Sequence, residues 1–429
     1  MQNCTDDVKP MAPFANPGMA SESRCDDAVL EVMRRLLRYC EANDWAGYDP
    51  YDALNSELFK SLPTLDNRFG RLAWTQMLKR MVFNVRPFLR IPKTQNAKAF
   101  ALFLSSYLKL HKSGLLDHPE HISAMIDNLA THRSPGVSHW CWGYSFPWQT
   151  RTKVVPRAVP NLVCTTFAAN ALLDAYELID EARCLEMAVS AADFILTELY
   201  WNEGGAAGFA YPLPSMRQQI HNANLLAAAL FCRVGALAGE KRFLEPAFKA
   251  ARWSAGKQRE DGSWAYGELP QHQWVDNFHT SYNLCALRDL GRYARTDEFA
   301  SRVRRGFDFY RAHFFRADGA ARYFHDRTYP IDVHCVASGI ITPLEFSELH
   351  PDSVHLARSA FHWALKHLWD ERGYFYYRKL RSVTIRIPYM RWGQAWMLLA
   401  VCKLLETTRA NRVADSKRSV LGRESASIR

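Results

Sequence analysis

A chain of 429 residues, 48% hydrophobic and 13% aromatic, has enough apolar material for one large core, and its 13 tryptophans exceed what packing alone asks for. The formal charge of +10 invites nucleic-acid binding, but the stretch from Arg409 to Arg429 carries +4 of it, and no zinc-finger, basic-zipper or RNA-binding signature accompanies the rest. The ten cysteines form no C-x-x-C pair, the first 25 residues lack the basic start and apolar run of a secretion signal, and no stretch reads as a membrane span, so the expectation is a cytoplasmic protein without a nucleic-acid partner.

In chain order, residues 1–25 read as a disordered arm, and DAVLEVMRRLLRYCEA (27–42) has the spacing of an amphipathic helix, with the segment from Arg68 to Leu89 expected to pack beside it. NAKAFALFLSSYLKLHKSG and HPEHISAMIDNLATHR then give one helix apolar nearly all round and one with a solvated face. Five further segments resemble the first of these: TTFAANALLDAYELI from Thr165, HNANLLAAALFCRV from His221, HTSYNLCALRDLGRY from His279, HCVASGIITPLEF from His334 and RWGQAWMLLAVCKLL from Arg391. Their starts are 56, 58, 55 and 57 residues apart. Four of the five are followed by a helix with one charged face. With residues 27–42 as the sixth outer helix, the hairpins close into a ring. The predicted fold is all-α, an (α/α)6 toroid over residues 26–407, followed by a basic tail over 408–429.

Loop asymmetry places the working end. Connections from inner to outer helices are short (GALAGE, SELHPD), whereas those from outer to inner helices are long and rich in Gly, Trp, Tyr, His and Asp. The mouth is therefore expected where the inner helices begin, with His221, His279, His334 and Arg391 converging there beside Asp276 and Asp332. Either Asp alone makes a good helix cap. Two carboxylates on neighbouring helix ends would lie about 8–10 Å apart, within the range inverting glycosidases use to fit a water between acid and base. His221, His279, His334 or Tyr282 could instead remove a proton next to a uronate carboxylate, with Arg151, Arg378 and Arg391 stabilising the charge that develops.

SHWCWGYSFPWQTR supplies Trp140, Trp142 and Arg151, either as a stacking wall for sugar rings or as an apolar plug. The loops QREDGSWAYGE, ARYFHD and GYFYYR add Trp264, Tyr266, His325, Tyr376 and Arg378. Asn224, Tyr389, Arg391 and Gln394 complete the expected substrate-contacting set. In each of these loops a glycine reads as a helix stop with an aromatic under the turn. No H-E-x-x-H, C-x-x-C or EF-hand spacing appears, so neither a metal nor a cofactor is expected, a zinc bound by the mouth histidines being the weighed alternative.

With this pattern the chain resembles the six-hairpin superfamily of sugar enzymes, which includes glycoside hydrolases, unsaturated glucuronyl hydrolases, toroid polysaccharide lyases and N-acylglucosamine 2-epimerases. DNFHTSYNL, YPIDVHCVA and MRWGQAWMLLA look like phrases of toroid proteins encoded in bacterial exopolysaccharide and capsule clusters. The resemblance implies a carbohydrate-active enzyme that makes or tailors a surface polysaccharide, with an oligo- or polysaccharide, an anionic uronate or a lipid-linked sugar as partner. The Asp pair favours glycoside hydrolysis, with uronate lyase or C5-epimerase chemistry and non-catalytic glycan binding as alternatives. QREDGSW also resembles one QW repeat of the terpene cyclases, whose acidic motif the toroid lacks.

Overall fold

The computed structural model describes residues 19–427 except 117, with side chains described for 26–412 except 117. The chain opens with α1 (Met19–Ala42), which begins inside the stretch expected as an arm; residues 1–18 lie outside the described residues. The short helix α2 (Glu57–Lys60) and α3 (Arg68–Arg80) follow. Five hairpins come next: α4 (Ala97–Lys112) with α5 (Glu120–Thr131), α6 (Leu162–Ile179) with α7 (Ala182–Phe194), α8 (His221–Ala238) with α9 (Leu244–Gly256), α10 (Asn277–Ala294) with α11 (Ala300–Phe314), and α12 (Val333–Glu345) with α13 (Ser353–Leu368). A π turn (Met390–Gln394) leads into α14 (Ala395–Ser427), whose helix runs on through the expected tail; side chains beyond 412 lie outside the described ones.

The even-numbered helices from α4 to α14 form the inner layer. Each lies against the next, and α14 returns to α4, so the ring is closed. The outer layer is α5, α7, α9, α11 and α13, with α1 covering α14. Hydrophobic burial drives this: the inner helices have apolar or small residues on nearly every side, and each outer helix contributes one apolar face. The inner helix α6 is long and apolar enough to cross a membrane, and most of it is buried by its neighbours in the ring.

Four inner helices begin at a side-chain cap, Asn96, Asn161, Asp276 and Asp332, each accepting from a backbone N–H of the first turn. Three glycines after outer helices do more than stop them. Gly262, Gly319 and Gly373 all have positive φ, and a Cβ on each would sit 2.5, 2.6 and 2.8 Å from the carbonyl oxygens of Arg305, Ser359 and Arg35 on the next outer helix. They set the spacing between outer helices, and Gly373 on Arg35 closes that layer as α14 on α4 closes the inner one.

One region departs from the expected plan. Residues 43–95 form a cap over the end where the inner helices begin, rather than a helix beside α1. Its small core is Ala53, Leu78 and Ile91, with Trp74 and Tyr48 against it, and the buried Arg86 ties it together by pairing with Asp52 at 2.8 Å. The cap grips the ring through Asp49, whose carboxylate takes both Nε and Nη2 of Arg391 at 2.7 and 2.8 Å.

Candidate active site

The start of α10 builds the site. As a cap, Asp276 accepts the His279 backbone N–H on Oδ1 at 3.0 Å. Its Oδ2 takes two more donors, Trp274 Nε1 at 2.9 Å and His279 Nδ1 at 2.7 Å. A carboxylate can only accept here, so the proton of His279 sits on Nδ1 and Nε2 is left as a base. No hydrogen bond reaches that Nε2 among the described residues.

One turn further, the Tyr282 hydroxyl meets Nε2 of His334, in the first turn of α12, at 2.8 Å. Burial first, then the charges of Lys98, Arg391 and His279, hold His334 well below its ordinary range, so this imidazole stays neutral. Burial pushes the Tyr282 phenol well above its own. The Phe278 ring lies between the two imidazoles, 4.2 Å from His279 and 4.7 Å from His334. Tyr266 stacks on Trp274 at 4.6 Å and touches His279 at 4.6 Å. Tyr51 from the cap packs on Trp392, and Tyr144, Tyr211 and Tyr323 complete the wall. Except for Tyr282, which is buried, these tyrosines are half-buried, so they line a narrow chamber that water can reach. Burial also pushes the Tyr144, Tyr266 and Tyr323 phenols well above the usual range, leaving a wall of neutral hydroxyls.

Lys98, in the first turn of α4, forms part of the floor. Its Nζ lies 4.0 Å from the Phe167 ring centre, 5.3 Å from Trp396 and 5.5 Å from Tyr282. The buried ammonium makes no hydrogen bond or ion pair among the described residues. Burial and the nearby Arg391 bring its pKa down to about 7. Arg391 is neutralised by Asp49 and Arg378 by Asp332, so Lys98 is a buried amine without a counterion that gains or loses its proton near neutral pH.

Phe167, Tyr282 and Trp396 pack edge-on or stacked, with centroids 5.4 to 5.7 Å apart, and divide the lumen. Below them opens a cavity of about 590 Å³ at the other end of the ring, whose wall on α4 starts at Ala101, one turn below Lys98. Its charges are largely paired: Arg233 with Asp174 and Glu177, Arg288 with Asp289 and Glu345, and Lys403 with Glu345.

Several expected residues are engaged by other contacts or lie elsewhere. The Asp332 carboxylate is saturated, accepting the His334 N–H and Trp392 Nε1 on Oδ1 and two Arg378 donors on Oδ2. With Asp276 also filled by N–H donors, neither carboxylate is placed to give a proton, and the acid–base pair expected for hydrolysis is not built. His221 turns to the outer layer, bonding Ser254 of α9 and Glu268, because no side chain caps α8 and its ring fills the interhelix space instead. Asn224 and Gln394 occupy the same position in their repeats and pin a neighbouring loop, accepting the Phe209 and Phe375 N–H groups. Trp140 and Trp142 wedge between outer helices, where the Trp142 indole donates to Leu129 O of α5 and the Trp140 N–H to Ser190 of α7. The Trp264 indole donates to Ser254 O. His325 packs toward Phe309 of α11, Tyr376 donates to Asp370, and Tyr389 is buried under Arg86 of the cap. Arg151 is exposed, and its charge bears on His272. Of the expected set, Asp276, His279, Tyr282, His334, Tyr266, Asp332, Arg378 and Arg391 gather at the mouth.

The sequence matches no protein family model and no curated protein. Solved structures do match. Cellobiose 2-epimerase from Bacillus thermoamylovorans superimposes with a TM-score of 0.59 at 10% identity over 74% of this chain and 90% of that one. Cellobiose 2-epimerase from Spirochaeta thermophila gives 0.57 at 13% identity over 75% and 87%. A family 76 α-mannanase from Bacteroides thetaiotaomicron gives 0.56 at 13% identity over 75% and 88%. The fold is the (α/α)6 toroid. At these identities the likeness establishes architecture, and the chemistry has to be argued from the chamber.

Among the described residues, no three His, Cys, Asp or Glu side chains come together as a metal site would need. Sequence reading missed Lys98, the aromatic divider and the cap tyrosine Tyr51. A lysine inside the apolar run NAKAFALFL was the available signal for the first.

Proposed function

We propose that this protein is a carbohydrate-active enzyme that transfers a proton at a carbon next to a sugar carbonyl or carboxylate, as epimerases, isomerases and lyases do. One observation carries the reading: two oriented imidazoles, His279 held by Asp276 and His334 joined to Tyr282, flank the Phe278 ring at one narrow chamber from adjacent inner helices. Such groups abstract or return protons, and a water-poor site strengthens the charges that stabilise the intermediate. His279 Nε2 takes the hydrogen as a proton. The C–H electron pair moves toward the neighbouring C=O, whose oxygen becomes an enolate facing the Lys98 ammonium. Return of a proton from the Tyr282 hydroxyl, which His334 Nε2 orients, to the opposite face inverts the carbon; the proton on His279 then passes to solvent and solvent returns one to the Tyr282 phenolate.

Glycoside hydrolysis is set aside because both aspartates are saturated with donors. The names of two fold neighbours, cellobiose 2-epimerases, are in keeping with proton transfer at a sugar. A role in building or tailoring a surface polysaccharide, on the cytoplasmic side, belongs to the same proposal and rests on the resemblance of DNFHTSYNL, YPIDVHCVA and MRWGQAWMLLA.

The test is incubation in deuterated water with aldoses, reducing disaccharides and uronate-ended oligosaccharides. Deuterium at the carbon beside the carbonyl or carboxylate, lost in His279→Ala and in His334→Ala, is expected. Glycosidic cleavage without exchange, or binding with neither, overturns the reading.

A further inference from the structure

Of the eleven large apolar side chains that are exposed among the described residues, seven lie between Leu58 and Phe88, all on the cap. Phe69, Phe83 and Phe88 are 76%, 79% and 85% exposed, and Leu62 and Leu65 accompany them. An isolated exposed leucine needs no explanation, whereas three nearly bare phenylalanines on one small module are unusual in a monomer in water. Charge concentrates in the same place. Residues 43–95 hold eight Lys or Arg against five Asp or Glu, a net +3, and all eight bases lie between Lys60 and Lys93. Lys60, Arg68, Arg80 and Arg90 are exposed and make no ion pair among the described residues, while Asp66 is taken by Arg71. The side of the cap that grips the ring is already committed, through Asp49 to Arg391, and Arg86 is spent inside the cap on Asp52. The phenylalanines and free cations occupy what remains.

We infer that the outer face of the cap docks on an anionic lipid bilayer, the phenylalanines entering the headgroup–acyl boundary while the surrounding lysine and arginine side chains engage acidic headgroups. Aromatic wedges ringed by cations match that interface on both counts: apolar area is buried in the boundary region, and each basic side chain gains from the negative surface potential. A protein groove would satisfy the phenylalanines but gives no reason for unpaired cations of one sign around them; a second copy of this chain would set those cations against each other. The cap also carries Tyr51 and Asp49 at the chamber mouth, so docking brings that mouth to the membrane surface, where a sugar carried on a lipid phosphate would be met. The inference does not depend on the proposed chemistry and is read without any substrate.

The test is cosedimentation of the full chain with phosphatidylcholine vesicles, with and without phosphatidylglycerol, at low and high salt. Binding that requires phosphatidylglycerol and weakens with salt is expected. Phe69→Ser, Phe83→Ser and Phe88→Ser combined should lower it about tenfold or more, and Lys60→Glu with Arg80→Glu and Arg90→Glu should remove the lipid-charge dependence. These side chains are exposed, so circular dichroism and thermal unfolding should match the wild type. Equal sedimentation of wild type and triple-serine variant, or no binding to either vesicle, overturns the inference. So does light scattering that shows a dimer dispersed by the same triple variant.

Discussion

The two ends of the ring use charge in opposite ways. In the basin at the inner-helix C-termini the groups are many and mostly answered: burial alone would push the Glu345 carboxyl up, yet Arg288 and Lys403 bring it to about 2. In the mouth chamber Arg378 and Arg391 are also answered, by Asp332 and Asp49, but three groups are left open. Lys98 has no counterion, Nδ1 of His334 has no partner, and His279 offers a free Nε2. Paired charges are what a solvated scaffold carries, whereas unpaired groups held away from water cost stability and are common at functional sites.

The largest expected effect tests that contrast directly. His279→Ala or His334→Ala should lower kcat about 10²–10⁴-fold, measured by deuterium exchange, while Arg292→Ala in the basin should stay within about twofold. Comparable losses at both ends would dissolve the distinction. Next comes the closure of the mouth. Asp49→Ala strands the buried Arg391 and should cost about 3–5 kcal/mol in urea unfolding, against at most about 1 kcal/mol for the exposed pair lost in Asp66→Ala. Asp276→Asn should lower kcat about 10–100-fold with little change in KM and shift the pH profile, because His279 loses the acceptor that fixes its tautomer; a purely structural role for Asp276 would leave the profile in place.

The smallest effect is a slope. The Lys98 pKa of about 7 lies below the ordinary 10.5 of the unfolded chain, so between those values the unfolded state holds the extra proton. Stability from this group therefore rises as pH climbs through that window. Lys98→Met should be more stable than wild type at pH 7, lose that part of the rise, and still lose turnover. Denaturant unfolding at the two ends of the window checks this.

The ring was legible because helical periodicity and a repeat of 55–58 residues are properties of sequence alone. The side chains at each inner-helix start were legible as a set but not as roles. Asp276 and Asp332 occupy the same capping position, and what separates them is the neighbour that arrives from far along the chain, a histidine ring for one and the Arg378 guanidinium for the other. His221 and His279 align in the sequence repeat, but His221 directly follows its cap position while His279 lies three residues past Asp276, and the two face opposite layers. The cap was misplaced because its contacts to the ring, Asp49 to Arg391 above all, join residues more than three hundred positions apart, which no local pattern records.

The triangle of Phe167, Tyr282 and Trp396 has a consequence for polymer substrates. A glycan cannot thread through the toroid from face to face, so the reacting pocket is a blind one. Only a terminal sugar, or one held by a short tether, can reach His279 and His334, and internal residues of a long chain are out of range. On the proposed chemistry, a protein built this way would edit units one at a time from a tip.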